Sequence, residues 1–192
     1  RFKGTLRIPG MSAPITVDEP LLRTIAGKYL HAVLEAGQIY RSITSYLDAA
    51  AFVPEMSLDE ADAPQTPAEL FFILAAVARE GVPLQTIAPK FTGDFLKGID
   101  YVGEVPLFER DFRDDLAVVK HAISLFGLPA NLKLSVHTGS DKFSLYPLMR
   151  KALLESGAGL HLKTAGTTWL EEVIGIAAAG GDAYRFVQDL YE

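Results

Sequence analysis

From about residue 52 onward, apolar and polar positions repeat one plan: a short apolar run, a polar loop, an amphipathic stretch, then a Gly or Pro break. "AFVPEMSL" (51–58) predicts a strand that leads into the acidic loop "DEADAPQ". Thr66 opens the next element, with a capping hydroxyl, Pro67 at the first helical position and Glu69 completing a capping box. Leu70, Phe71, Leu74 and Val77 form its apolar stripe, and Gly81 follows the last turn. "PLQTIAPKF" (83–91) predicts the next strand, followed by the Gly-rich loop "TGDFLKGIDYVGEVP". Phe108, Phe112, Leu116, Val119, Ile123 and Phe126 then recur in steps of three and four along one helix face, which Gly127 ends. "NLKLSV" (131–136) predicts a strand and "LYPLMRKALLES" (145–156) a helix, capped by Ser144 and stopped by Gly157. "GLHLKTA" (159–165) predicts a further strand, and Thr168 to Glu171 a second capping box opening a helix to about Ala179.

Four consecutive strand–helix units across 51–192 imply parallel strands joined by right-handed crossovers. A doubly wound open sheet and a (β/α)₈ barrel are both built this way. The barrel is favoured, because no strand runs into a G-x-G-x-x-G or G-x-x-x-x-G-K-[ST] loop. Instead polar residues collect after every strand, as at the C-terminal rim of a barrel. Residues 1–50 add a leading strand, "FKGTLRIPG", and a helix over roughly 19–36 with Leu22, Ile25, Tyr29, Leu30 and Val33 on one side. That makes four to five units where a barrel needs eight. The expectation is a partial TIM-barrel-like α/β fold, with 1–192 a fragment of a single catalytic domain; a start at Arg1 is expected of a chain either processed or cut from something longer.

Composition narrows the partners. The 192 residues are 49% hydrophobic, enough for a sizeable core. Net charge is −6 with no run of Lys or Arg, so no nucleic acid or anionic membrane surface is expected as a partner. The longest apolar run, "LFFILAAVA" (70–78), falls far short of the roughly 20 residues that a membrane span needs. Cysteine is absent, which excludes disulfides and thiolate ligands and makes a cytoplasmic protein the expectation.

Four strand ends carry the candidate chemistry: Asp59-Glu60-Ala61-Asp62, Lys90-Phe91-Thr92-Gly93-Asp94, His137 to Lys142, and Lys163 to Thr167. In a barrel these loops line one mouth. Carboxylates and an imidazole there suit a divalent cation, a lysine suits an anionic substrate group, and a helix N-terminus near Thr167 offers free N–H groups. None has a diagnostic metal-ligand spacing such as H-E-x-x-H. Bland readings stand beside these: an acidic loop is commonly a solvated turn. His31 and His121 read as structural or solvent-facing, and Phe143 and Trp169 as packing residues. His161 lies on the same strand face as Lys163, where core and site roles are not separable. Lys90 and Lys163 border apolar strands, where an unpaired ammonium costs several kcal/mol.

"EMSLDEAD", "APKFTGDFLKGIDYVG", "FRDDLAVVKHAISLFGLP", "LKLSVHTGSDKFSLYP" and "LHLKTAGTTWLEE" together resemble the tagaturonate epimerase family. The likeness runs over most of 50–175, with the motifs in matching order. It implies a TIM-barrel-like fold, a divalent metal (Zn, Mn or Ni), and C4 epimerisation between D-tagaturonate and D-fructuronate; relatives also act on the neutral ketohexoses fructose and tagatose. Family members are considerably longer, so these residues are expected to hold only part of the site.

A C4 hydrogen is not adjacent to a C2 carbonyl, so enolisation alone does not invert that centre. Retro-aldol cleavage with re-addition does, and a metal that polarises the carbonyl stabilises the enediolate. Within that reading His137 is the first metal ligand and Glu60 or Asp59 its carboxylate partner, either one alternatively the proton-transfer group. Lys90 and Asp141 join the catalytic set. Ser140, Lys142, Lys163, Gly166 and Thr167 are expected on the substrate, a small sugar acid or ketohexose. The rivals are a class II-type sugar-phosphate aldolase and a non-catalytic sugar-binding subunit. Exposed strand edges in a partial barrel leave homo-oligomer formation open.

Overall fold

The computed structural model describes residues 2–165 and 169–191. Its centre is a four-stranded parallel sheet in chain order: β3 (Glu55–Ser57), β4 (Thr86–Ala88), β5 (Lys133–Gly139) and β6 (Leu160–Thr164). The register runs Met56–Ile87 and Ile87–Leu134, then Leu134–Leu160 and His137–Lys163. Each crossover passes through a helix: α3 (Pro67–Glu80), α4 (Val105–Phe126) and α5 (Tyr146–Ser156). No closed barrel is present among the described residues, and the sheet ends at β3 and β6.

Strand alternation divides this sheet into two chemically different faces. Met56, Ile87, Leu134 and Val136 face the helices and are buried with Leu70, Phe71, Leu74 and Val77 of α3 and Phe108, Phe112 and Leu116 of α4. The other face carries Glu55, Ser57, Thr86, Ser135, His137, His161 and Lys163, together with the buried Ala88. The predicted stripes of α3 and α4 are thus the buried ones, except that Ile123 and Phe126 are only partly covered. The Thr66 capping box forms in full: Glu69 N–H donates to Thr66 Oγ1 at 3.2 Å and Thr66 N–H to Glu69 Oε2 at 2.8 Å. Gly81 closes α3 at φ 72°, a left-handed position that a side chain resists.

Several local expectations change. The leading segment is a hairpin, β1 (Gly4–Leu6) antiparallel to β2 (Ile15–Val17), because Pro9-Gly10 turns the chain, with Met11 N–H bonded to Ile8 O. The helix expected to stop near residue 36 continues to residue 44 as α1 (Glu19–Ile25), a π turn (Ala26–Leu30) and α2 (His31–Thr44). Ser144 does not cap α5: its N–H and hydroxyl both donate to Asp100, at 3.1 and 2.9 Å. The Thr168 cap falls outside the described residues, while α6 (Trp169–Ala178) and a further helix, α7 (Gly181–Tyr191), follow it. No described helix is long and apolar enough to cross a membrane.

The long loop after β4 folds on itself. Asp94 and Val102 form an antiparallel bridge, and Tyr101 packs on Phe95 and Phe108 while its hydroxyl donates to Thr92 O at 2.9 Å. A Cβ on Gly93 would lie 2.3 Å from the Tyr101 hydroxyl oxygen, so the ring occupies the space that only glycine leaves.

Candidate active site

On the polar face of the sheet a chain of contacts runs across all four strands, from Asp59 just past β3 to His161 on β6. His137, on β5, places Nδ1 2.8 Å from Oδ2 of Asp59, which lies just past the end of β3. A carboxylate only accepts, so Nδ1 carries a proton towards Asp59, and Ser57 Oγ donates to the other oxygen of the same carboxylate. In the neutral ring this leaves a lone pair on Nε2. That atom is buried and without a hydrogen-bond partner, yet Glu55 Oε1 stands 3.3 Å away. Two lone pairs held face to face, one of them on a buried atom, are unfavourable unless a proton or a cation lies between them.

Glu55, on β3, is itself fixed. Its Oε2 accepts from Thr86 Oγ1 at 2.7 Å and lies 3.2 Å from His161 Nδ1, which is 2.9 Å from Ser135 Oγ. Burial works against the Glu55 carboxylate. The hydroxyls of Thr86 and Ser135, the His137 ring and the His161 bond outweigh it, and the pKa sits below the ordinary glutamate value. Asp59 is lowered in the same way, burial being outweighed by Ser57 and His137. Both are therefore carboxylates near neutral pH, ready to face positive charge. A surface recess lined by Glu55, Thr86, Lys133 and His161 opens on this polar face. A second recess, between α4 and α5, is lined by Arg113, His121 and Glu155 and holds none of these groups.

The residues expected from sequence separate into distinct situations. His137 and Asp59 come together. Glu60 is exposed and makes no hydrogen bond or ion pair with any described residue. Lys90 donates to Ala61 O at 2.6 Å, tying the loop after β3. Asp141 accepts from Tyr146 at 2.6 Å. Lys142 is fully buried. It donates to Ser140 O at 2.8 Å, Ser140 Oγ at 2.9 Å and Leu96 O at 3.0 Å. Burial lowers its pKa, against the opposing charges of Asp100 and Asp141. Ser140 Oγ also accepts from Gly98 N–H at 3.0 Å, so Ser140 and Lys142 fasten the loop after β5 to the loop after β4. Lys163 is exposed on β6 beside His137. Gly166 and Thr167 lie outside the described residues.

Glu55, Thr86 and Ser135 were not singled out from the sequence. The available signal was the two-residue step Glu55, Ser57, Asp59, which sets all three on one strand face and puts Glu55 deeper in the sheet than the acidic loop.

Two donors, His137 Nε2 and Glu55 Oε1, suit a divalent cation in type and placement. Among the described residues, no group of three His, Asp or Glu side chains converges to hold one.

An α/β chain of successive strand–helix units, with imidazole and ionised carboxylates facing each other on one face of the sheet, has the layout of an acid–base or metal-assisted enzyme. The family model for tagaturonate epimerase matches residues 5–191, and the chain belongs to that family. The chain is 33% identical over 171 residues to the tagaturonate/fructuronate epimerase of Thermotoga maritima, covering 89% of this chain and 33% of that protein. It is also similar to the glycerol-complexed crystal structure of the fructuronate-tagaturonate epimerase UxaE from Cohnella laeviribosi. That match has a TM-score of 0.72 and 31% identity, and it covers 94% of this chain and 34% of the other. The native crystal structure of the Cohnella enzyme gives 0.71 and 28%, covering 98% and 36%. The chain thus spans about a third of the length of the relatives it matches.

Proposed function

We propose that this chain supplies part of the active site of a metal-dependent epimerase interconverting D-tagaturonate and D-fructuronate at C4. In this reading β3 to β6 are consecutive strands of a (β/α)₈-type barrel within a single catalytic domain, and residues 1–50 lead into it. The names of the relatives supply the substrates. The observation that carries the reading is the His137 Nε2, buried and without a hydrogen bond, set 3.3 Å from the ionised Glu55.

His137 and Glu55 would hold the divalent ion (Zn, Mn or Ni), and its remaining ligands would have to come from outside this pair. When bound, the metal supplies Lewis-acid polarisation of the C2 carbonyl and its neighbouring hydroxyl. Asp59 keeps the His137 tautomer that leaves Nε2 free, while Thr86 and Ser135 keep Glu55 ionised and aimed. Glu60 takes the proton from the C4 hydroxyl as the C3–C4 bond breaks, and the electron pair of that bond passes into an enediolate across C2 and C3. The C4 aldehyde turns and C3 re-adds to its other face. The proton then returns to the C4 oxygen, so no hydrogen leaves carbon C4.

The test uses the full-length protein, stripped with chelator and assayed for D-tagaturonate to D-fructuronate conversion with and without Zn²⁺, Mn²⁺ or Ni²⁺. Conversion restored by metal, and lost in both His137→Ala and Glu55→Gln, is the expected result. No conversion with any metal would sink the proposal. Incorporation of labelled dihydroxyacetone into product during turnover is expected for bond cleavage and rebuilding.

A further inference from the structure

We infer that Lys163 is the residue that recognises the substrate's carboxylate and so makes the site prefer a sugar acid to the corresponding neutral ketose. This rests on the epimerase reading above and adds a specificity determinant to it. The inference comes from how the structure disposes of the lysines around the strand ends. Lys142 is fully buried and spends its ammonium on Ser140 and the Leu96 carbonyl. Lys90 is held at 2.6 Å by the Ala61 carbonyl. Each of these cations is already part of the scaffold, and withdrawing it would leave buried acceptors unpaired.

Lys163 differs on every count. It pairs in register with His137 across the β5–β6 ladder, so the two Cα atoms are about 5 Å apart and their side chains stand on the same face. It follows His161, a contact of Glu55, by two residues on that face. Its ammonium makes no hydrogen bond or ion pair with any described residue, and the residue is exposed. Among the described residues it is thus a cation without a partner, mounted on a strand and not on a loop, one strand away from the groups proposed to hold the reacting end of the substrate. A six-carbon 2-keto sugar acid carries its carboxylate at the end remote from the C2 carbonyl. A flexible ammonium on the neighbouring strand is placed to meet that end while C2 and C3 stay at His137 and Glu55. Two other lysines on this side make no ammonium contact with a described residue: Lys133, at the start of β5, which lines the recess with Glu55 and His161, and Lys97, whose stem would be 3.1 Å from a Cβ on Gly139. Lys133 stands at the far end of β5 from His137 and Lys97 sits on the loop after β4 and not on a strand, which makes Lys97 the natural comparison.

The experiment measures kcat/KM of the full-length enzyme for D-tagaturonate and for D-tagatose, which differs only in having CH₂OH in place of the carboxylate. Wild type, Lys163→Met, Lys163→Arg and Lys97→Met are compared. Binding of D-tagaturonate to each is followed by calorimetry, independently of turnover. For Lys163→Met the uronate-to-ketose ratio of kcat/KM is expected to fall about 10–100-fold, the worth of one charge-assisted contact. Lys163→Arg recovers part of it, and uronate affinity falls in parallel. An unchanged ratio in Lys163→Met, or a loss found in Lys97→Met instead, overturns the inference. Should wild type bind tagaturonate without converting it, the epimerase reading fails, and a weaker affinity in Lys163→Met still upholds the carboxylate contact. If wild type neither binds nor converts the uronate, both fall together.

Discussion

Replacing Asp115 with Asn is a sharp test of how this fold handles charge, because nothing in the site takes part. Asp115 lies mid-helix on α4, 4% exposed, on the same helix as Asp111 and Asp114. No described residue gives its carboxyl a hydrogen bond or a cation. Burial first, then the two neighbouring aspartates, push its pKa well above the ordinary value. The sign follows from linkage. A carboxyl whose native pKa is raised gives its full contribution to stability below the unfolded pKa of about 3.9, and that contribution is lost as pH rises through the native pKa. Over this interval the native state holds a proton that the unfolded chain has released, at a cost of about 1.4 kcal/mol for each pH unit. Asn, isosteric with the neutral carboxyl, carries no such cost. In a chain of this size 1 kcal/mol moves Tm by about 2–4 °C, so the variant should gain about 3–6 °C on wild type for each pH unit, starting near pH 4. Thermal unfolding of both proteins at half-unit steps from pH 4 to pH 8 checks this. Parallel curves across the range would refute the reasoning, since they would mean that Asp115 titrates alike in the folded and unfolded chains.

Two further substitutions probe the site and its rim. Asp59→Ala removes the acceptor for the Nδ1 proton of His137, and metal affinity of the full-length protein is expected to fall about 10–100-fold, read by competition with a chromogenic chelator. Lys142→Met leaves the Ser140 and Leu96 carbonyls without their donor; a loss of about 1–3 kcal/mol is expected by urea denaturation, with faster proteolytic cleavage of the loop 92–104.

The helical units were legible because their signals are local. The Thr66–Glu69 box, the three- and four-residue steps of α4 and the closing Gly81 each act over one or two turns. The β1–β2 hairpin and the extension of α2 to Thr44 were not, since pairing and packing partners decide them. At the site the same division holds. His137 stood out because an imidazole after an apolar strand is conspicuous. Glu55 did not, because its partners Thr86 and His161 are 31 and 106 residues away in the chain. Lys142 looked like a ligand-binding residue in "HTGSDK"; only the neighbouring loop, with Leu96 and Gly98, shows where its ammonium goes.

The division of the sheet into an apolar face and a polar one has a meaning independent of any one reaction. Met56, Ile87, Leu134 and Val136 answer to the helices, while Glu55, Ser135, His137, His161 and Lys163 answer to whatever lies in front of them. Successive residues of one strand therefore answer to different neighbours. Substitutions at every second position can reshape what the polar face meets while the buried packing of Met56, Ile87, Leu134 and Val136 stays as it is.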